Sequence, residues 1–405
     1  MRRNLRWSVL GAALAVSLLS GCAASPTASP SLPPSPSQSP SASSASATPT
    51  PTPSATLAPT PSATPSPDPV DALTLEQRVG QLFMVGTSAT AASPATLAAV
   101  GDRHAGGIFL SGRSRAGVSA TADVVSRFTA LDHPAGAPLW VATDQEGGEV
   151  QVLQGPGFDA MPYGIRQADL SDDQLRASAE RWGRQLAEAG VTLDLAPVAD
   201  IVTSKATRFD NPPIGGYGRQ YGYDAPTVAA KAGAFAEGMR DAGILPTFKH
   251  FPGLGHVAAN TDTAADVVDT TVAPDGPDVD VYRPLTDAGP SAVMVSSAIY
   301  DRIDGSGPAV FSSTVLKLLR DEVGFDGVVF SDDLSAAVAV SAWSPAERAV
   351  DAISAGVDVV LVSAKPSVFP AMYDAVLAKA KSDPRFAAQV DEAAARVLAA
   401  KADMP

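Results

Sequence analysis

The sequence predicts an α/β fold, a (β/α)8 barrel of the TIM type, built as one domain after a disordered linker. Three observations carry this reading. Eight short β-branched runs recur between residues 70 and 405. Amphipathic stretches of helical spacing lie between them. Polar side chains gather where several runs end, and such barrels keep their sites at the C-terminal ends of strands.

The runs are GQLFMVG (80–86), GGIFLSG (106–112), PLWVATD (138–144), VTLDLAPV (191–198), ILPTFKH (244–250), AVMVSSA (292–298), GVVFSDD (327–333) and VDVVLVS (357–363). Most are continuously apolar rather than alternating, as strands covered on both faces should be. Thr74 and Gln77 predict a capping box that opens a helix before the first run. Residues 172–190 and 225–243 read as helices, and each closes on Ala-Gly, a helix stop. A doubly wound open sheet is the rival. That fold would carry a glycine-rich fingerprint after its first strand, whereas the first run here leads into VGTSAT.

The N-terminal region sets the compartment. Residues 1–21 combine Arg2, Arg3 and Arg6 with an apolar segment, 8–20, that is short for a membrane span. This predicts an export signal peptide. It ends in LSGC, which resembles a lipoprotein lipobox, so Cys22 is read as the lipidated first residue of the mature chain. Cys22 is the single cysteine, which rules out an intramolecular disulfide. Residues 22–69 are almost entirely Ser, Thr, Pro and Ala. Such a stretch buries too little to offset its ordering entropy, and it predicts a disordered, extended tether. The expected location is the extracytoplasmic face of the cell membrane. Losing residues 1–21 removes three arginines and no acids, taking the net charge from −14 to −17. So acidic a chain argues against nucleic acid, and against holding anionic lipid by charge.

The third run leads to Asp144 and Glu146, the fifth to Lys249 and His250, and the seventh to Asp332 and Asp333. Any one of these reads as a cap or loop residue. Three such clusters at strand ends point to a site. The sequence carries no metal-ligand cluster, phosphate loop or redox pair, so no cofactor and no metal are expected.

DQEGG (144–148), KHFPGLG (249–255) and FSDDLS (330–335), in that order and spacing, resemble glycoside hydrolase family 3. More closely they resemble its single-domain bacterial β-N-acetylglucosaminidases of the NagZ type, over roughly residues 72–400. The resemblance implies a retaining exo-β-N-acetylglucosaminidase acting on cell-wall peptidoglycan fragments. It implies Asp332 as nucleophile, with Asp333 as a structural partner. Asp144, Lys249, His250 and Arg219, the last in GGYGRQYG, are implied to bind the sugar. Met294 falls where the family lines its site after strand six.

The chain departs from that pattern in the loop after KHFPG. There the family carries an Asp-Ser-His triplet whose Asp-His pair is the acid/base, and this chain has Asn260-Thr261-Asp262. Glu149 and Val152 stand where arginines often follow DQEGG, and Ser296-Ser297 where a histidine is frequent. Three readings of the proton carrier stay open. Asp262 serves if its pKa rises toward neutrality, with Asn260 orienting it. His256 has a suitable pKa without help. Alternatively the loop is inert and the barrel only binds sugar, as a non-catalytic wall-binding lipoprotein would. A β-glucosidase-like exo-glycosidase is a further alternative.

Overall fold

A helix capped as the sequence predicts leads into the barrel. The Thr74 side chain accepts from the Gln77 backbone N–H and the Gln77 side chain accepts from the Thr74 N–H, at the start of α1 (Leu75–Gln81). The computed structural model describes residues 69–134 and 137–402. The signal segment, Cys22 and nearly all of the predicted tether lie outside the described residues.

Each of the eight runs forms a strand: β1 Phe83–Ser88, β2 Gly107–Ser111, β3 Trp140–Thr143, β4 Leu193–Asp194, β5 Leu245–Phe251, β6 Ala292–Val295, β7 Val328–Asp333 and β8 Val359–Val362. They pair in parallel, each with the next in sequence, and β8 returns to β1 to close the barrel. Helices cross over between strands, among them α2 (Asp172–Glu188) after β3 and α3 (Ala225–Asp241) after β4. Both helices end two residues before the expected glycines. Gly190 and Gly243 then adopt positive φ, 80° and 78°, beyond the reach of most side chains. Val191 and Ile244 donate back to Leu186 and Met239, completing six-to-one closures.

The packing explains the unbroken apolar runs. Met84, Trp140, Leu193, Leu245, Phe330 and Leu361 point into the barrel. Their neighbours Phe83, Val85, Val141, Val329 and Val360 belong to the outer layer, against the helices. Burying each large side chain contributes roughly 1.5–3 kcal/mol.

Two strands differ from their sequence runs for local reasons. The run at 80–86 yields a strand only from Phe83, because the capped helix continues through Gln81. The run at 191–198 keeps regular pairing at Leu193–Asp194 alone, since Pro197 brings no N–H to a ladder. A single bridge, Val198 to Lys249, resumes the contact beyond it.

The last helix, α4 (Pro384–Ala402), plugs the N-terminal end of the barrel. Its Val397 joins the interior cluster. Its Lys401 is buried, donates to Gln81 Oε1 and Gly106 O at 2.7 Å each, and lies 5.1 Å from the Trp140 ring. Burial pushes its ammonium down to about 7.

Candidate active site

Two strand irregularities shape the site. In a regular strand, consecutive side chains point to opposite faces. Yet Lys249 and His250 both line one cavity at the C-terminal mouth of the barrel, and so do Asp332 and Asp333. The register shifts at both places, between Lys249 and Phe251 on β5 and between Phe330 and Asp333 on β7. A bulge of this kind re-aims side chains, here bringing neighbouring polar groups into the same space.

The cavity has a volume of about 330 Å³. Asp144, Arg219, Lys249, His250, Asp262 and Asp332 all line it, with Asn260 and Met294. All six described residues expected at the site therefore converge. Met294 is also part of the barrel core, so it forms apolar floor.

A buried ion network fixes the cationic wall. Lys249 Nζ lies 2.7 Å from Asp144 Oδ1 and 2.6 Å from Glu146 Oε1. Arg219 grips Glu146 with two bonds of 2.8 Å, Nε to Oε2 and Nη2 to Oε1, and its Nη1 donates to Pro213 O. An ammonium has three donors, so Lys249 retains one for a bound hydroxyl. Burial disfavours the Glu146 carboxylate, but the Arg219 and Lys249 charges overcome that and hold it at about 2. Burial likewise opposes the two cations, and their carboxylate partners more than compensate, raising Lys249 and Arg219 above their ordinary values. Asp194, at the end of β4, contrasts with them. Burial pushes it up to about 8, and its Oδ1 accepts from the Gln145 N–H.

His250 is oriented from behind. Its Nδ1 lies 2.7 Å from Asp200 Oδ2, while Asp200 Oδ1 accepts from the backbone N–H groups of His250 and Leu254. Glu146 and Asp200 are the supporting residues that the sequence reading passed over. The sequence places Glu146 at the third strand end but assigns it no role in the site. Asp200 follows the fourth run by two residues, where the same strand-end rule points to it.

The carboxylates separate by environment. Asp333 is spent on structure: its Oδ1 accepts from Ser335 Oγ at 2.6 Å and from the Ser335 and Ser363 N–H groups, and its Oδ2 from the Ala336 N–H. Asp332 Oδ1 accepts only the Asp333 N–H at 2.8 Å among the described residues, which leaves its carboxylate available to a ligand. Asp262 stands at the cavity mouth, with surface open to water. Crowding on its cavity side and then the Asp332 charge push it up to about 6. A sugar in the cavity would displace more water from it and act in the same direction. Asn260 Oδ1 accepts the Asp262 N–H at 2.8 Å, and the loop is tied to the β7 side by Ala339 N–H to Thr261 O at 3.0 Å. Asn260 thus orients Asp262 through its backbone.

His256 points elsewhere. Its Nδ1 lies 2.8 Å from Thr203 Oγ1 and its Nε2 2.9 Å from Asp278 Oδ1, and it does not line the cavity. Glu149 is turned outward as well, pairing with Arg113 at 3.5 Å and accepting from Tyr163 Oη. Ser296 Oγ accepts from the Ala298 N–H, a local turn contact.

A glycosyl hydrolase family 3 N-terminal domain profile matches residues 74–400. This chain belongs to glycosyl hydrolase family 3. The β-hexosaminidase LpqI of Mycobacterium tuberculosis is 33% identical over 344 residues, covering 82% of this chain and 84% of that one. A β-hexosaminidase of Chromobacterium violaceum is 32% identical over 302 residues, with 72% and 81% covered. The crystal structure of a β-N-acetylhexosaminidase from Beutenbergia cavernae superimposes with a TM-score of 0.80 at 54% identity, covering 82% of this chain and 99% of that one. Family 3 membership agrees with the fold and the order of motifs expected from the sequence.

The Glu146 network gives the first testable outcome. Glu146→Gln leaves Lys249 with Asp144 and takes from Arg219 the carboxylate it grips, and breaking one partner of a buried ion set costs roughly 3–5 kcal/mol. Because the Glu146 carboxyl is depressed in the fold, its contribution is full above its ordinary value of 4.5 and is lost as pH falls toward about 2. Urea unfolding should show that loss of stability at pH 7, with a shallower decline on acidification than in the parent. Equal stability of the two proteins at pH 7 would rule out the network as a structural support.

Proposed function

We propose that this chain is a retaining exo-β-N-acetylglucosaminidase of family 3, with Asp332 as nucleophile and Asp262 as acid/base. The observation that carries the proposal is the pair of carboxyls in one cavity, Asp262 shifted to about 6 and Asp332 with no side-chain hydrogen-bond partner among the described residues. Pairs of carboxyls driven apart in pKa are how glycosidases divide the work. The relatives named β-hexosaminidase support the sugar.

In this mechanism the Asp332 carboxylate attacks the anomeric carbon as the glycosidic oxygen takes the proton of Asp262 and leaves. A covalent glycosyl ester forms on Asp332. Asp262, now a carboxylate, removes a proton from water. That water attacks the same carbon, the ester bond breaks, and the sugar departs with retained configuration. Asp144, Lys249, His250 and Arg219 hold the sugar hydroxyls. With both His256 nitrogens engaged away from the cavity, Asp262 is favoured over His256 as the proton carrier.

The basic start of the chain, its apolar segment and LSGC support export and a lipid anchor on Cys22. An enzyme so held would meet N-acetylglucosamine-containing glycans of the cell wall. Purified protein is expected to release nitrophenol from a nitrophenyl β-N-acetylglucosaminide, and absence of turnover together with sugar binding would favour a binding module. Cys22→Ala should move the protein from the membrane to the soluble fraction. Unchanged fractionation would sink the anchor.

A further inference from the structure

Asn211 sits in the loop after β4. It is buried, 4% exposed, and does not line the cavity. An amide side chain offers two N–H donors and two acceptor lone pairs, and Asn211 uses all four. Its Nδ2 donates to Leu254 O and Val257 O at 2.9 Å each. Its Oδ1 accepts the backbone N–H groups of Ile214 and Gly215 at 3.2 and 2.8 Å. One buried side chain therefore ties the β4 loop to the β5 loop.

Each side of that tie leads to a group of the site. Beyond Ile214 and Gly215 comes Arg219, whose backbone N–H donates to Ile214 O and whose Nη1 donates to Pro213 O. Beyond Val257 comes Asp262. Leu254 lines the cavity, and its N–H is taken by Asp200, the carboxylate behind His250. Between the two carbonyls the chain runs tight against the β4 loop: a Cβ on Gly255 would lie 2.0 Å from Ile201 O. The far end of the segment is fastened as well, by the Ala339 N–H to Thr261 O at 3.0 Å and the Val338 N–H to Asp262 O at 3.3 Å. Losing the Asn211 amide would leave two carbonyls of buried residues unpaired, which costs more than the bonds contribute when made. The near end of the segment would then shift to find partners.

We propose that Asn211 is a positioning residue for proton transfer: its two N–H donors set where Asp262 stands, while its oxygen sets where Arg219 stands. The proposal rests on the reading of Asp262 as the acid/base. His256 lies between the two carbonyls, but its own bonds run to Thr203 and Asp278. Without its ring both carbonyls stay on Asn211, so Asp262 keeps its place.

Asn211→Asp separates the two halves of the tie. A carboxylate keeps the acceptor for Ile214 and Gly215 and has no N–H for Leu254 and Val257. Purified full chain is assayed with methyl β-N-acetylglucosaminide, whose leaving group needs protonation, and with the nitrophenyl glycoside, whose leaving group needs little. In Asn211→Asp, kcat/KM for the methyl glycoside should fall about 10²-fold, the loss that follows a misplacement of about 1 Å, and that for the nitrophenyl glycoside far less. N-acetylglucosamine should bind as it does to the parent, because the Arg219 side is intact. The pH limb of Asp262 should move down as crowding around its carboxyl relaxes. Asn211→Ala, which cuts both halves, should add weaker binding of the sugar. A purely structural role would lower both rates alike. The ratio of the two rates is read on one sample, so incomplete folding of a variant cancels. If Asp262→Ala keeps the parental ratio, the acid/base reading falls and this proposal falls with it. A shifted ratio in Asp262→Ala beside a parental ratio in both Asn211 variants overturns the proposal alone.

Discussion

Asp332→Ala is expected to lower kcat/KM for a nitrophenyl β-N-acetylglucosaminide by roughly 10⁴-fold or more, the scale seen when a nucleophile is removed. The fold should survive. The turn after β7 is organised by Asp333, whose carboxylate takes four hydrogen bonds from Ser335, Ala336 and Ser363. Asp332 contributes one local bond, to the Asp333 N–H. Removing it therefore deletes chemistry with little structure, and the melting temperature should move by only a few degrees. N-acetylglucosamine should still bind, because Asp144, Lys249 and Arg219 are undisturbed. Turnover within tenfold of the parent would remove Asp332 from the mechanism.

Asp262→Ala should slow substrates with poor leaving groups by about 10²–10⁴-fold, the range for loss of a general acid. Nitrophenolate leaves with little protonation, so its release should suffer far less. Azide needs no base and should restore the second step, yielding a β-glycosyl azide. The pH profile carries the same information. Asp262 donates only when protonated, so kcat/KM of the parent should fall as pH rises through about 6. That limb should vanish in the variant. His256→Ala is the control. It should cost stability, through lost bonds to Thr203 and Asp278, without leaving-group dependence. An exchange of behaviour between the two variants would transfer the role to His256.

What the sequence disclosed, and what it withheld, follows from the range of each interaction. The eight strands were legible because a barrel buries both strand faces, Met84 inward and Phe83 outward, so most positions before the strand ends are apolar. Helix ends were legible because Gly190 and Gly243 satisfy a local backbone need. The strand-end rule placed Asp144, Lys249 and Asp332 at one mouth. Contacts between distant segments were not legible. Nothing local says that Asp200 backs His250, that Asp278 takes His256 out of the cavity, or that Ala339 holds the Asp262 loop. The outward turn of Glu149 depends on Arg113 and Tyr163, again remote in sequence. The bulges on β5 and β7 also escape a reading by period, since they break the alternation such a reading uses.

Trapping the covalent intermediate tests the account most directly. A 5-fluoro-N-acetylglucosaminyl fluoride carries a leaving group that needs little acid, and its ring fluorine slows breakdown of the ester. The protein should gain the mass of one fluorosugar, and peptide mapping should find it on Asp332, with no label in Asp332→Ala. A label on any other residue, or turnover of the fluoride without inversion-free product and without an adduct, would contradict the assignment.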